Sequence, residues 1–221
     1  MPKKVNKLKR SKKFSESSKR WILRQINDPL VKKAQQFGYR SRGAFKIIEI
    51  NDKFKILKKN HIVLDLGAAP GGWSQIAVEI CGEGNVFGID LLEIDPIKGA
   101  FFIQQDFLEE DCAQKISNLV KEKTGFEKCN VVLSDMAANT TGDSFVDHLR
   151  IITLLEDALK LAVKILKPNG SFVGKIFQGG NSDELVSLLK ENFEKVKYFK
   201  PNSSRKDSKE IYLVATGFIK H

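Results

Sequence analysis

Residues 63–74, running from Val63 through Asp65, Gly67, Pro70, Gly71 and Gly72 to Ser74, constrain the fold more than any other stretch of this chain. An apolar run ends in an acid, a glycine-punctuated loop follows, and Trp73 to Ile80 continues with amphipathic helical spacing. That succession predicts a buried parallel strand, a tight turn and a helix, the opening unit of a nucleotide-binding α/β sheet. Such sheets bind ligands outside the carboxyl ends of their strands, and glycine lets the loop backbone come close to one. A GxGxxG loop would cradle a pyrophosphate at a helix N-terminus. Here Asp65 precedes the turn and Pro70 lies inside it, so a carboxylate stands where it would repel a pyrophosphate. A cationic ligand end suits it better, and S-adenosylmethionine (AdoMet) has one in its ammonium and sulfonium groups.

Three further apolar runs end the same way. Residues 86–90 close on Asp90, about 20 residues past the glycine loop, where an acid can bond the ribose hydroxyls of a nucleoside. Asp106 follows Phe101, Phe102 and Ile103 and could accept from an adenine amino group, or simply cap the following helix. Asp135 closes the run 131–135. Packing alone does not explain four acids at the carboxyl ends of four strands.

Strand patterns at 62–66, 86–90, 101–103, 130–135, 171–177, 195–199 and 210–216 alternate with helical patterns at 73–81, 111–123, 146–166 and 182–193. Two more helices are expected ahead of them, at 28–36 and 42–53. Strict alternation implies a Rossmann-like parallel α/β sheet of seven strands with helices on both faces. The link between the last two strands, 201–207, is too short for a helical crossover, so they are expected to pair as a hairpin with the last strand antiparallel. Lys167, Pro168, Asn169 and Gly170 are expected to stop the long helix and turn into the fifth strand.

The net charge of +10 is uneven. Residues 1–42 hold 14 Lys and Arg against Glu16 and Asp28, a balance of +12 that leaves −2 on the remainder. Two parts are therefore expected: a basic, disordered arm over 1–20 and a single domain over 21–221. A basic arm beside Trp21 is the electrostatic footprint of a polyphosphate partner. No apolar run reaches membrane-span length and no signal peptide is evident, which points to the cytoplasm. Cys81, Cys112 and Cys129 have no paired or ligand spacing, and the three histidines are scattered, so no metal site is expected.

Segments 38–46, 65–75, 90–92, 134–137, 174–178 and 203–205 through 210–212 together resemble the FtsJ/RlmE family of ribosomal RNA ribose 2′-O-methyltransferases. They occur in the family's order over nearly the whole chain; Ala138 stands where the family pattern has proline. The resemblance implies a catalytic tetrad of Lys46, Asp135, Lys175 and Glu210. It implies AdoMet as cofactor, held by Gly71, Trp73, Asp90, Asp106 and Asp135. It implies transfer to a uridine in the A-site loop of large-subunit rRNA in the assembled subunit, by a monomer that engages no membrane. Lys175 stands out unaided, because a lysine inside an apolar strand needs a reason. As the base it must take the 2′ proton; desolvation and Lys46 favour its neutral amine, Asp135 and Glu210 its ammonium. Arg40 and Arg42, with Lys19 and Arg20 of the arm, are the expected RNA contacts.

Other acceptors are disfavoured. Exocyclic nitrogen methylation would call for an Asn/Asp-Pro-Pro-aromatic motif after the fourth strand, and cytosine C5 methylation for a cysteine nucleophile there. Cys129 lies at the wrong end of that strand. The open alternatives are a tRNA ribose methyltransferase of the same family and a non-catalytic ribosome-assembly factor that keeps the fold.

Overall fold

The computed structural model describes residues 22–24, 26–137, 141–180, 182–205 and 207–219. The expected disordered arm, with Lys19 and Arg20, and Ala138 lie outside them. Seven strands form one sheet in the order β3-β2-β1-β4-β5-β7-β6. They are β1 (Val63–Leu66), β2 (Val86–Asp90), β3 (Ala100–Gln104), β4 (Cys129–Ser134), β5 (Leu166–Phe177), β6 (Phe193–Phe199) and β7 (Glu210–Phe218). β1 to β5 run parallel, and β7 is antiparallel to both β5 and β6. The last strand therefore enters the sheet between its two predecessors. Its first residue, Glu210, lies level with Phe177 at the carboxyl end of β5.

The helices are α1 (Pro29–Gln36), α2 (Ala44–Phe54), α3 (Gly72–Cys81), α4 (Cys112–Thr124), α5 (Ser144–Ile165) and α6 (Asp183–Asn192). Both faces of the sheet are covered, which is why β1 and β4 read as continuous apolar runs rather than alternating ones. On one face Leu64, Phe87, Val132, Phe172 and Leu213 pack with α4, α5 and α6. On the other, Val63, Val131, Leu133, Val173, Tyr212 and Val214 pack with α2 and α3. The chain steps outward from β1 through β2 to β3, then returns to β4 on the far side of β1. That reversal opens a crevice at the carboxyl ends of β1 and β4, the place where open α/β sheets bind ligands.

Two boundaries differ from the sequence expectation for local reasons. α5 starts at Ser144, because the Asp143 carboxylate accepts from the N–H groups of Phe145 and Val146 and caps the helix two residues early. The turn expected at 167–170 lies inside β5: Leu166 already pairs with Cys129, and the register shifts before Ser171 meets Val131. Asn169 takes the left-handed conformation (φ 62°) that this bulge requires.

Candidate active site

Four segments distant in sequence deliver the tetrad. Lys46 sits in the first turn of α2, whose Ala44, Ile47 and Ile50 are fully buried. The Trp73 indole donates to the Gly43 carbonyl at 2.9 Å, which ties the start of α2 to α3. Asp135 follows β4. Lys175 and Glu210 lie on neighbouring antiparallel strands, where Lys175 pairs with Tyr212 and Phe177 with Glu210. Residues two apart in a strand share a face, so Lys175, Tyr212 and Glu210 all turn toward α2 and Lys46.

The four groups touch. Lys175 Nζ donates to the Asp135 carbonyl at 2.6 Å and lies 3.1 Å from its Oδ1. Lys46 Nζ donates to Glu210 Oε2 at 3.1 Å and lies 3.8 Å from Asp135 Oδ1. The Lys175 side chain is only 4% exposed, whereas those of Asp135 and Glu210 are 23% and 28% exposed, so the acids form the open side. Burial alone would lift the Asp135 carboxyl; the Lys175 and Lys46 ammonium groups and the Tyr212 hydroxyl outweigh it and hold the carboxyl below its ordinary value.

Tyr212 is the residue the sequence reading missed. Its hydroxyl donates to Asp135 Oδ1 at 2.7 Å, and its fully buried ring packs 5.6 Å from Trp73 and under Lys46 Nζ at the same distance. Burial, reinforced by Asp135, pushes this phenol well above its usual range, so it stays a donor. Its signal was present in the alternation of β7, where a tyrosine two residues after Glu210 must share its face.

The glycine loop is made mainly of backbone. Gly67 (φ 71°) and Gly71 (φ 106°) adopt left-handed conformations that disfavour any side chain. Asp90 Oδ2 accepts from the Ala69 N–H and its Oδ1 from the Leu92 N–H, each at 2.9 Å. Asp106 accepts from the Leu108 N–H at 3.0 Å in a local turn, and it does not cap the following helix, whose N-cap position is Asp111. Because α3 starts at Gly72, the Trp73 N–H falls in the first turn, where helices leave donors without intrahelical acceptors.

Asp65, read from sequence as facing a cationic ligand end, is only 1% exposed. It accepts from the Ser74 hydroxyl at 2.7 Å beneath the loop, so its charge reaches a ligand through the loop rather than by contact. Burial lifts its carboxyl to about 7, opposed by the Ser74 bond and reinforced by Asp135 and Asp90.

Arg40 and Arg42, expected at RNA, have guanidinium groups that hydrogen-bond within the protein. Arg40 donates to the carbonyls of Pro70, Asp95 and Pro96 and thereby clamps the glycine loop to the segment after β2. Arg42 bridges Asp28 and the Ser203 carbonyl, and Arg205 also reaches Asp28. Glu49 of α2 accepts from the N–H groups of Asn202 and Ser203 at 2.5 and 2.8 Å. This knot fixes the loop that leads into Glu210. Among the described residues no His, Cys, Asp and Glu group of metal-binding size occurs, and no helix is long and apolar enough to cross a membrane.

Comparison with known proteins shows the family. The model of the FtsJ-like methyltransferase family matches residues 39–218, which contain every member of the tetrad. The chain belongs to that family. Curated relatives named ribosomal RNA large subunit methyltransferase E include one from Acidiphilium cryptum, 50% identical over 96% of this chain and 92% of its own length. Another, from Granulibacter bethesdensis, is 49% identical over 97% and 91%. Among solved structures, a Plasmodium falciparum ribosomal RNA methyltransferase aligns with TM-score 0.72 at 32% identity, over 83% of this chain and all of its own. A Clostridium thermocellum rRNA-methylase aligns with TM-score 0.50 at 15% identity, over 79% of this chain and 95% of its own, a likeness of fold alone.

Proposed function

We propose that this FtsJ-like methyltransferase methylates the ribose 2′-hydroxyl of a uridine in the A-site loop of large-subunit rRNA, in the assembled subunit, with AdoMet as donor. The names carried by relatives at about 50% identity support the substrate class. The observation that carries the reaction type is the pair of acceptors on Lys175. A lysine amine that has given up its extra proton has two N–H groups and one lone pair. Lys175 Nζ donates to the Asp135 carbonyl and lies 3.1 Å from the Asp135 carboxylate, a pair of acceptors that would hold those N–H groups and leave the lone pair for the proton of the acceptor hydroxyl.

The crevice fits the donor. A Cβ at Gly67 would lie 2.3 Å from Met136 Cγ, and one at Gly71 2.7 Å from Ile97 Cδ1, so both positions keep the loop close and open. Exposed Leu91, Leu92 and Leu108 flank Asp90 and Asp106 and offer apolar cover for a purine. Gly71 and Trp73 would bind through backbone, Asp90 at the ribose, Asp106 at the adenine, and Asp135 at the methionine end. AdoMet supplies an electrophilic methyl group on sulfur.

A ribose hydroxyl is a weak nucleophile and must shed its proton as it attacks. Lys175 takes that proton. Lys46, held by Glu210, orients the hydroxyl oxygen, and Glu210 balances the added charge. With Lys175 neutral the four groups sum to −1, and proton uptake returns them to zero, so no net charge accumulates in a partly buried site. The basic arm, including Lys19 and Arg20, supplies phosphate contacts, while Arg40 and Arg42 hold the loops that shape the site. The enzyme works as a cytoplasmic monomer.

The test is methyl transfer from labelled AdoMet to large subunits lacking the modification, with 2′-O-methyl groups then mapped by mass spectrometry on rRNA and tRNA. One new 2′-O-methyluridine in large-subunit rRNA is expected. Label on a base, on tRNA or nowhere contradicts the reading.

A further inference from the structure

A second cavity, of about 340 Å³, opens beyond the carboxyl end of β5 against the first turns of α5. Phe145, His148, Leu149, Phe177, Gln178 and Lys209 line it. Its walls continue directly from the tetrad. Phe177 lies one pleat beyond Lys175, roughly 7 Å along the strand and on the same face. It pairs with Glu210, and the Gln178 N–H donates to the carbonyl of Lys209 at 2.7 Å. In the sheet order the glycine loop and Asp90 belong to β1 and β2, whereas the cavity opens at the ends of β5 and β7 that also carry the tetrad, away from the donor loop. A molecule filling it approaches from the acceptor side.

We infer that this cavity seats the base of the acceptor nucleotide, with Phe145 as its stacking platform. The inference rests on the proposed ribose methylation. A ribose whose 2′-hydroxyl reaches Lys175 carries its base a few ångströms away, and that base must go somewhere. Phe145 is 69% exposed and Leu149 49% exposed on neighbouring positions of α5, an apolar surface at the rim of a polar site. Unstacked bases are held on such aromatic side chains in sequence-specific RNA recognition. The volume suits a small planar ligand. The Gln178 amide offers one donor and one acceptor, complementary to the carbonyl and N–H on the edge of a uracil. Lys209 adds a cation for the adjoining phosphate. The far wall is set by close packing, because a Cβ at Gly180 would come within 2.2 Å of the His148 ring.

Two measurements test the assignment. In steady-state assays on large subunits, Phe145→Ala should lower kcat/KM about five- to one-hundred-fold, mostly through KM, and Phe145→Trp should restore it. AdoMet affinity should not change, and Phe145 is exposed enough that neither variant threatens folding. In parallel, subunits with 4-thiouridine at the acceptor position should, on irradiation, crosslink to a peptide from 144–149 or 177–180. If wild-type protein transfers methyl normally, an unchanged kcat/KM in Phe145→Ala overturns the assignment, as does a crosslink outside those peptides, and the reaction stands. No transfer by wild-type protein overturns the reaction and the base seat together.

Discussion

The two halves of the crevice are built from different materials. The donor half, at the ends of β1 to β3, is mostly backbone: left-handed glycines, amide groups bonded to Asp90, and carbonyls clamped by Arg40. Its glycine loop and the acids Asp90 and Asp106 fall within residues 67–106. The acceptor half is made of side chains from α2, β4, β5 and β7 that meet within 4 Å only because of the sheet order. A backbone-lined site can hold many nucleosides with little dependence on side-chain chemistry. A site of two lysines and two acids in mutual contact depends on each of those side chains.

If that division is right, the two halves should fail separately. The largest effect is expected from Lys175→Ala and Asp135→Ala, which should cut turnover about 10²- to 10⁴-fold. AdoMet affinity should survive in Lys175→Ala and fall in Asp135→Ala, which faces both halves; calorimetry beside single-turnover assays distinguishes them. Near-normal turnover by Lys175→Ala would leave the acceptor half without its base.

The donor half can be probed through Asp65. Its carboxyl is raised to about 7 in the fold, so between pH 4 and 7 the native state binds a proton that the unfolded chain releases. This group's contribution to stability is full below pH 4 and is lost as pH rises through 7, by up to roughly 4 kcal/mol. Asp65→Asn should therefore flatten the pH dependence of denaturant unfolding across that window and stabilise the ligand-free protein at pH 8. Parallel stability curves for the two proteins would show that Asp65 is not strained by burial.

Tyr212→Phe should have a smaller effect, confined to the acceptor half. It removes one hydrogen bond to a carboxylate, so kcat should fall about tenfold. Because that bond helps hold Asp135 below its ordinary value, the Asp135 carboxyl, followed by carbon-13 NMR, should titrate at higher pH in the variant. A fall in rate with no movement of that titration would reduce Tyr212 to packing. The smallest effect on either half is expected from deleting residues 1–20. RNA affinity should weaken, and its salt dependence should flatten by about 0.7 to 0.9 in log-log slope for each phosphate that the arm neutralises. AdoMet affinity should be untouched; an unchanged slope would place the RNA footprint elsewhere.

The same division explains what could be read from sequence. The donor half was legible directly, since an apolar run, an acid and glycines within a dozen residues dictate strand, turn and helix. The places of all seven strands along the chain followed from alternation, and the antiparallel β7 from the shortness of its connecting loop, whereas their order in the sheet did not. Of the acceptor half, Asp135 showed as an acid closing an apolar run and Lys175 as a cation in an apolar strand. Lys46 reads as an ordinary helix lysine, and only the family resemblance joined it to Asp135 and Glu210. Tyr212 escaped because an aromatic residue in a strand is the expected packing residue, and its hydroxyl acquires meaning only from the position of Asp135. The structural role of Arg40 and Arg42 escaped for a related reason. Charge counted along a sequence does not reveal that Asp28 and four loop carbonyls stand ready to accept from them.

The insertion of β7 between β5 and β6 also has a consequence for biosynthesis. Chains fold as they emerge, N-terminal parts first. The strands that build the donor half are complete by Gln104, whereas β6 has no partner in the sheet until β7 is made, and Glu210 opens that strand. A nascent or prematurely ended chain thus lacks the carboxylate that holds Lys46, whatever part of the sheet it has already formed. Such a fragment would be inert rather than indiscriminately reactive, so the placement of one strand ties chemical competence to full-length synthesis.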